Sequence, residues 1–269
     1  MQELKKLTGK EIRIVERGNT AILYALEIAK KLNKSKVAIQ DQGAWIVYKQ
    51  YPKKIGLNLT ILRTDYGLID TKNLSDSIDS DSALLITSMA GYIAVQDMDT
   101  MYNICKEKGC LLINDITGTI GMHEGTVGDI LVCSFGKTKP LNIGKGGMIA
   151  AKKDILDLIQ IKEIDIKEQL KERLSTLKKR QEFLKATNEK IKDNLRHLGI
   201  IHKNKQGINV VIKYKDEQEK EQIITYCQKN NFKYRMCKKV KDSTKNLFSF
   251  IKVNEDAVSI EVQELESFL

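Results

Sequence analysis

Short apolar runs that alternate with amphipathic helical stretches constrain this chain more than any other feature. RIVE, KVAIQ, LTILRT, ALLITS, CLLIND, ILVCSF and GGMIAA each carry an apolar core of strand length, and a strand with little polar alternation has to be covered on both faces. Helical patterns stand between them, over about residues 20 to 32, 45 to 55 and 97 to 108. The alternation predicts an α/β fold: a mainly parallel sheet with helices on both faces and one antiparallel edge.

After Lys153 the texture changes to a long charged stretch in which Leu170, Leu177, Leu184, Ile191 and Leu198 recur at heptad spacing beside Leu174 and Leu195. That stripe fits either an isolated coiled coil or a connecting helix packed on the preceding domain. Polar Gln181 and Asn188 interrupt the second seam and favour the connecting helix, with Gly199 expected as its C-terminal cap. Beyond it, GINVVIKY, a helix over about 216 to 230, NFKYRMC, NLFSFIKV and AVSIEV predict a small α+β domain. The expected organisation is a large α/β domain over 1–153, a connecting helical segment over 154–199 and a small C-terminal domain over 200–269.

Composition removes several function classes. Of 269 residues, 42% are hydrophobic and 30% charged, as in an ordinary globular protein, and no run approaches the twenty or so apolar residues of a membrane span. The opening MQELKKLTGKEIR lacks an apolar signal segment, so a cytoplasmic protein with no membrane partner is the expectation. Five cysteines form no CxxC pair, and His123, His197 and His202 sit in no nucleophile or metal signature; neither a zinc site nor a catalytic thiol is expected. The formal charge of +10 raises a nucleic-acid partner, but the lysines are spread through amphipathic helices beside glutamates, as solvated helix faces are.

Chemistry concentrates in CSFGKTKPLNIGKGG, residues 133–147. Gly136-Lys137-Thr138 ends like a P-loop, yet the glycine that motif needs five positions earlier is Leu131. The other lysine, Lys139, gains meaning from what surrounds it. A pyridoxal phosphate site needs an amine for a Schiff base, a carboxylate at the pyridine nitrogen, donors around a phosphate and an aromatic face. Asp115 follows the apolar strand CLLIN and so stands at a carboxyl strand end, where α/β sheets bind ligands, although alone it reads equally as a turn or cap aspartate. Gly18-Asn19-Thr20-Ala21 opens a helix after a strand, which suits either an anion or a plain N-cap. Trp45, the single tryptophan, also follows a strand and could stack on a ring or fill the core.

With these residues in view, Ser134-Phe135, Lys139, Leu141, Gly144 and Gly146-Gly147-Met148 together resemble the Schiff-base segment of the DegT family, sugar aminotransferases of the fold type I pyridoxal phosphate enzymes. The five-residue step from Ser134 to Lys139, the upstream Asp115, GNTAI and Trp45 agree with that family. The resemblance covers residues 11 to 153 best and implies pyridoxal 5'-phosphate as cofactor, with Lys139 as its Schiff-base lysine and proton shuttle. It implies Asp115 at the pyridine nitrogen, Trp45 stacked on the ring, and Gly18, Asn19, Thr20 and Ser134 at the phosphate. It also implies a homodimer in which Asn142 to Gly147 lies near the partner's cofactor, the commonest closed assembly. The expected activity is transfer of an amino group from a small donor to a keto acceptor.

The chain departs from the pattern in three places. Gly118 stands where the family carries glutamine or histidine three residues after the aspartate, Lys145 replaces an acidic residue, and the expected arginine-containing segment after GGMIAA is missing. Arg13, Arg17, Arg63 and Arg235 are available for a substrate carboxylate, but no motif selects one. A lyase, a tRNA-linked conversion and a cofactor-binding protein without turnover stay open as alternatives.

Overall fold

The computed structural model describes residues 1–237 and 256–265. Helix α1 (Gln2–Thr8) leads into β1 (Glu11–Val15), α2 (Gly18–Lys31), β2 (Lys36–Gln40), α3 (Val47–Lys54) and β3 (Asn58–Leu62). A two-residue hairpin, β4 (Thr64–Asp65) and β5 (Leu68–Ile69), precedes α4 (Thr71–Ser77) and β6 (Ser82–Thr87). A second hairpin, β7 (Met89–Ala90) and β8 (Ala94–Val95), precedes α5 (Met98–Glu107), β9 (Leu111–Asp115), β10 (Ile130–Ser134) and β11 (Gly147–Ala151).

Seven of these strands form one sheet in the order β1-β11-β10-β9-β6-β2-β3. Strands β3, β2, β6, β9 and β10 pair in parallel, while β11 runs antiparallel to both β10 and β1. The antiparallel strand is therefore one place in from the edge, a correction to the expected antiparallel edge. Its cause lies in the connection: β10 is followed by a loop without a crossover helix, so the chain returns beside it in the opposite sense.

Successive side chains of a strand face opposite sides, and in β6 Ala83 and Leu85 join the layer under α2 and α3 while Leu84 and Ile86 join the layer under α4 and α5. All four are fully buried, each large one contributing about 1.5–3 kcal/mol. Helix α2 turns Ala21, Ala25 and Ala29 to the sheet with Ile22 and Leu26. Small residues at helical spacing let its axis lie close to the strands.

The connecting segment comprises α6 (Lys153–Leu156) and the 28-residue α7 (Lys167–Asn194). Leu170, Leu174 and Leu177 pack with β1, β10 and β11, whereas Leu184 and Ile191 belong to the core of the C-terminal domain. One apolar stripe thus serves two cores in turn. The polar interruptions have partners: Gln181 donates to the Ile120 carbonyl, and Asn188 donates to the carbonyls of Ile208 and Asn209 at 3.0 and 2.9 Å. Gly199 is not the helix cap. The helix ends at Asn194, residues 195–198 turn so that Leu195 and Leu198 enter the core, and Gly199 pairs with Lys213.

The small domain contains β12 (Gly199–Ile200), β13 (Val210–Lys213), α8 (Glu217–Lys229), β14 (Tyr234–Cys237) and β15 (Ala257–Ile260), with an antiparallel sheet in the order β12-β13-β15-β14. Asp216 caps α8 by accepting from the Glu219 amide at 2.8 Å. The predicted strand NLFSFIKV lies outside the described residues. No helix among the described residues is long and apolar enough to cross a membrane, and all five cysteines are buried as free thiols.

Candidate active site

The carboxyl ends of β9 and β10 and the start of α2 open onto one cavity. Its lining brings together Gly18, Asn19, Trp45, Asp115, Ser134 and Lys139, drawn from positions far apart in the chain. Thr20, on the same first turn of α2, is not part of that lining.

Asp115 is the last residue of β9. Its Oδ1 accepts from the amide of Thr117 at 3.0 Å and from the Thr117 hydroxyl, and its Oδ2 accepts from the Tyr48 hydroxyl at 2.9 Å. Burial pushes the carboxyl above its ordinary value; the Thr117 and Tyr48 bonds and the Lys139 charge oppose that rise. Removing it from water thus favours the neutral acid, while a built set of donors holds the anion.

Lys139 projects from the loop between β10 and β11. That loop is pinned by the amides of Ile143 and Gly144, both donating to the Phe135 carbonyl, and by the Gly146 amide donating to Glu16. Its Nζ lies 4.9 Å from the ring centre of Tyr92 and 5.9 Å from that of Trp45, within cation–π reach of both faces. Burial lowers the ammonium below its ordinary value, with Asp115 the largest opposing influence. Lys137, the rival lysine of the motif, is exposed.

The N-terminus of α2 has no side-chain cap and no acidic residue in its first turn, which leaves the positive end of the helix available to an anion. Gly18 is required there by contact: a Cβ would stand 2.6 Å from the Cβ of Ser134. Gly147 is constrained in the same way, since its Cβ would stand 2.6 Å from the Gly18 amide nitrogen. Asn19 accepts from the Trp45 indole at 2.9 Å, so the two predicted residues hold each other at the mouth, where Trp45 is 41% exposed.

The missing side chain at position 118 has a steric counterpart. A Cβ there would lie 2.8 Å from the Cβ of Met89 and 3.2 Å from its sulfur, so Met89, itself part of the cavity wall, fills the place of a polar group. Among the candidate arginines, Arg13 pairs with Asp157 and Glu163, Arg235 pairs with Glu264 and Glu261, and Arg17 and Arg63 are exposed. None lines the cavity.

Sequence reasoning missed Tyr48, Thr117 and Tyr92. Thr117 carried a signal, since an aspartate followed two residues later by threonine suits a local side-chain turn. Tyr48 and Tyr92 carried none, because their meeting with Asp115 and Lys139 depends on tertiary placement.

A family model described as the DegT/DnrJ/EryC1/StrS aminotransferase family matches residues 15–193. A probable glycine dehydrogenase (decarboxylating) subunit 1 of Solidesulfovibrio magneticus is 24% identical over 138 residues, 48% of this chain and 31% of that protein. The chain thus spans about a third of the length of that curated relative, whose matched share is 31%. Similar solved structures include a GDP-4-keto-6-deoxy-D-mannose-3-dehydratase of E. coli with bound hydrated PLP, at a TM-score of 0.75 and 13% identity over 98% of this chain and 87% of that one. They also include 3-amino-5-hydroxybenzoic acid synthase, at 0.70 and 14% over 98% and 85%, and NtdA of Bacillus subtilis with bound cofactor PMP, at 0.69 and 14% over 97% and 73%. The fold is that of these fold type I enzymes.

Proposed function

The chain belongs to the DegT/DnrJ/EryC1/StrS aminotransferase family, and on that premise we propose that it is a pyridoxal phosphate-dependent aminotransferase acting on a small amino donor and a keto acceptor. The observation that carries the proposal is the placing of the Lys139 amine and the Asp115 carboxylate on one cavity whose rim is the uncapped N-terminus of α2.

The residues present fit the cofactor. Gly18 and Gly147 bring α2 and the ends of β10 and β11 together so closely that a Cβ at either would collide, leaving backbone donors and the Ser134 hydroxyl for a phosphate. Asn19 supports this end through Trp45, and Thr20 contributes through the helix turn it belongs to. Trp45 offers a ring face, Asp115 a carboxylate for a pyridine nitrogen, and Lys139 the amine for covalent attachment. Bound pyridoxal phosphate supplies an electrophilic carbon and an electron sink that makes the substrate Cα–H acidic.

The protein's own part is proton handling and placement. Lys139 Nζ, held by burial toward its free-amine form, takes the proton from the amino donor's Cα and returns one in the reverse half-reaction. Thr117 and Tyr48 donate to the Asp115 carboxylate and oppose the rise that burial imposes on it. Ser134 and Gly18 hold the phosphate end, and the aromatic rings of Trp45 and Tyr92 limit water around the amine.

A two-fold homodimer belongs to the same proposal. Trp45 stands 41% exposed at the mouth of the cavity, and Gly144 and Lys145 are exposed in the Asn142 to Gly147 segment, so a second copy could cover this side.

Absorbance of the purified protein with added pyridoxal phosphate, then borohydride reduction and peptide mapping, tests the reading. The expected result is a pyridoxyl adduct on Lys139 that is lost in Lys139→Ala, with spectral changes on adding an amino donor. Reduction that leaves residue 139 unmodified while labelling another lysine would overturn it.

A further inference from the structure

Tyr92 occupies the turn of the β7–β8 hairpin with φ at +61°, directly after Gly91 at +52°, and the Ile93 amide closes the turn onto the Ala90 carbonyl at 2.9 Å. Two successive positive φ values suit a tight hairpin, but glycine and asparagine are the residues that adopt them readily; a bulky aromatic there is strained and persists only when its surroundings impose it.

Those surroundings come from the small domain. The Tyr92 carbonyl accepts from the amides of Ile208 and Asn209 at 2.7 and 2.8 Å, and the Val95 amide donates to the Gln206 carbonyl at 2.8 Å. Between them Gly207 passes so close to Ile93 that a Cβ would overlap its carbonyl oxygen. Asn188 of α7 holds the same segment through the carbonyls of Ile208 and Asn209. Meanwhile the Tyr92 side chain, 8% exposed, lines the cavity with its ring centre 4.9 Å from Lys139 Nζ.

We propose that Tyr92 is a positioning residue for Lys139: its ring walls the amine off from water, and the 206–209 segment holds that ring in place through the Tyr92 carbonyl. The inference rests on the reading that Lys139 is the reactive amine, and it makes the state of that amine depend on how the small domain is docked. The groups that bear on Lys139 are Asp115 from β9, Cys133 from β10, and Glu261 and Glu264 from the C-terminal turn; Tyr48 acts through Asp115. Burial outweighs the attraction of those carboxylates and lowers the ammonium. Deleting the ring admits water and removes a cation–π contact, two opposed effects of which rehydration is the larger for a buried amine.

The test uses cofactor-free full-length protein, labelled with an amine-specific reagent across pH, with the extent at Lys139 read by peptide mass mapping. Tyr92→Gly deletes the ring and relieves the turn; Tyr92→Phe keeps the ring and removes only the hydroxyl. The expected outcome is a labelling midpoint about one pH unit higher in Tyr92→Gly, a roughly tenfold smaller free-amine fraction below it, and an unchanged midpoint in Tyr92→Phe. An unchanged midpoint in Tyr92→Gly, or an equal shift in Tyr92→Phe, overturns the proposal. Tyr92→Asn, which also tolerates the left-handed turn, carries the same arm should Tyr92→Gly fail to give a native circular dichroism spectrum. A shifted midpoint in protein that never takes an adduct at Lys139 sinks the aminotransferase reading alone, so the two failures are distinguishable.

Discussion

The phenol of Tyr48 donates a 2.9 Å hydrogen bond to Oδ2 of Asp115, across 67 residues of sequence. Tyr48 is fully buried, and its hydroxyl is made a much weaker acid than usual by that burial and by the Asp115 charge, so it keeps its proton and donates a hydrogen bond to the carboxylate. With Thr117 on the other oxygen, it favours the anion in a place where burial favours the acid.

Replacing Tyr48 by phenylalanine preserves the packing and removes one donor from that anion. A hydrogen bond to a charged group contributes about 1.5–3 kcal/mol, so Asp115 in the variant titrates at higher pH and holds a protonated pyridine less well. The expected outcome is pyridoxal phosphate affinity weakened by about tenfold or more, measured by titrating the cofactor-free protein at neutral pH, with the loss growing as pH falls toward the raised Asp115 value. Equal affinity in the two proteins at every pH would show that Tyr48 does not support the carboxylate.

Gly18→Ala tests the other end of the cavity. The added Cβ would stand 2.6 Å from the Ser134 Cβ and 3.0 Å from its Cα, so α2 must move away from β10. Overpacking of this kind costs about 1–3 kcal/mol, and the displacement also withdraws the first-turn amides from a phosphate. Chemical denaturation should show the stability loss, and free phosphate or pyridoxal phosphate should restore less of it than in the parent protein. A variant as stable as the parent and equally protected by ligand contradicts the assigned geometry.

How much of this was legible beforehand depends on the range of the interaction involved. The strands could be read because a run such as ALLITS has no polar side, a local property that its burial on both faces explains. Asp115 could be read because it follows an apolar strand, and Lys139 because of its five-residue step from Ser134. The antiparallel place of β11 could not, since strand direction is decided by the absence of a crossover after β10 rather than by residues in β11. Gly199 misled because a glycine after an apolar stripe has the composition of a cap, yet the turn at 195–198 is set by burial of Leu195 and Leu198. Tyr92 gave no warning at all: its left-handed backbone is imposed by amides more than a hundred residues later in the chain.

Asn188 illustrates the same point in the heptad stripe, where it reads as a defect. In the structure it is 2% exposed and its amide satisfies two carbonyls of the 206–209 segment. Asn188→Ala leaves both carbonyls without that donor and opens a small void, so the protein should lose about 1–3 kcal/mol in denaturant unfolding. Asn188→Leu, which restores volume and improves the heptad, should not recover the loss; recovery would mean that the position behaves as an ordinary coiled-coil seam.

The lowered pKa of the Lys139 ammonium also has a consequence for stability against pH. An ammonium whose folded value lies below its unfolded value of 10.5 opposes folding wherever both states are protonated. The opposition fades as pH rises from the folded value toward the unfolded one, and it returns as pH falls through the folded value. Lys139→Met removes the group while keeping the length of an apolar side chain. The melting temperature of the cofactor-free parent, taken relative to Lys139→Met at each pH, should therefore rise with pH in the window that lies below the ordinary lysine value of 10.5. Asp115 loses its nearby cation in the variant, which moves its carboxyl further above the ordinary carboxylate value. A relative melting temperature that is flat or falls over this window would mean that Lys139 is charged and well solvated in the fold, and a lysine in that state is not the free amine that the proposed proton transfer requires.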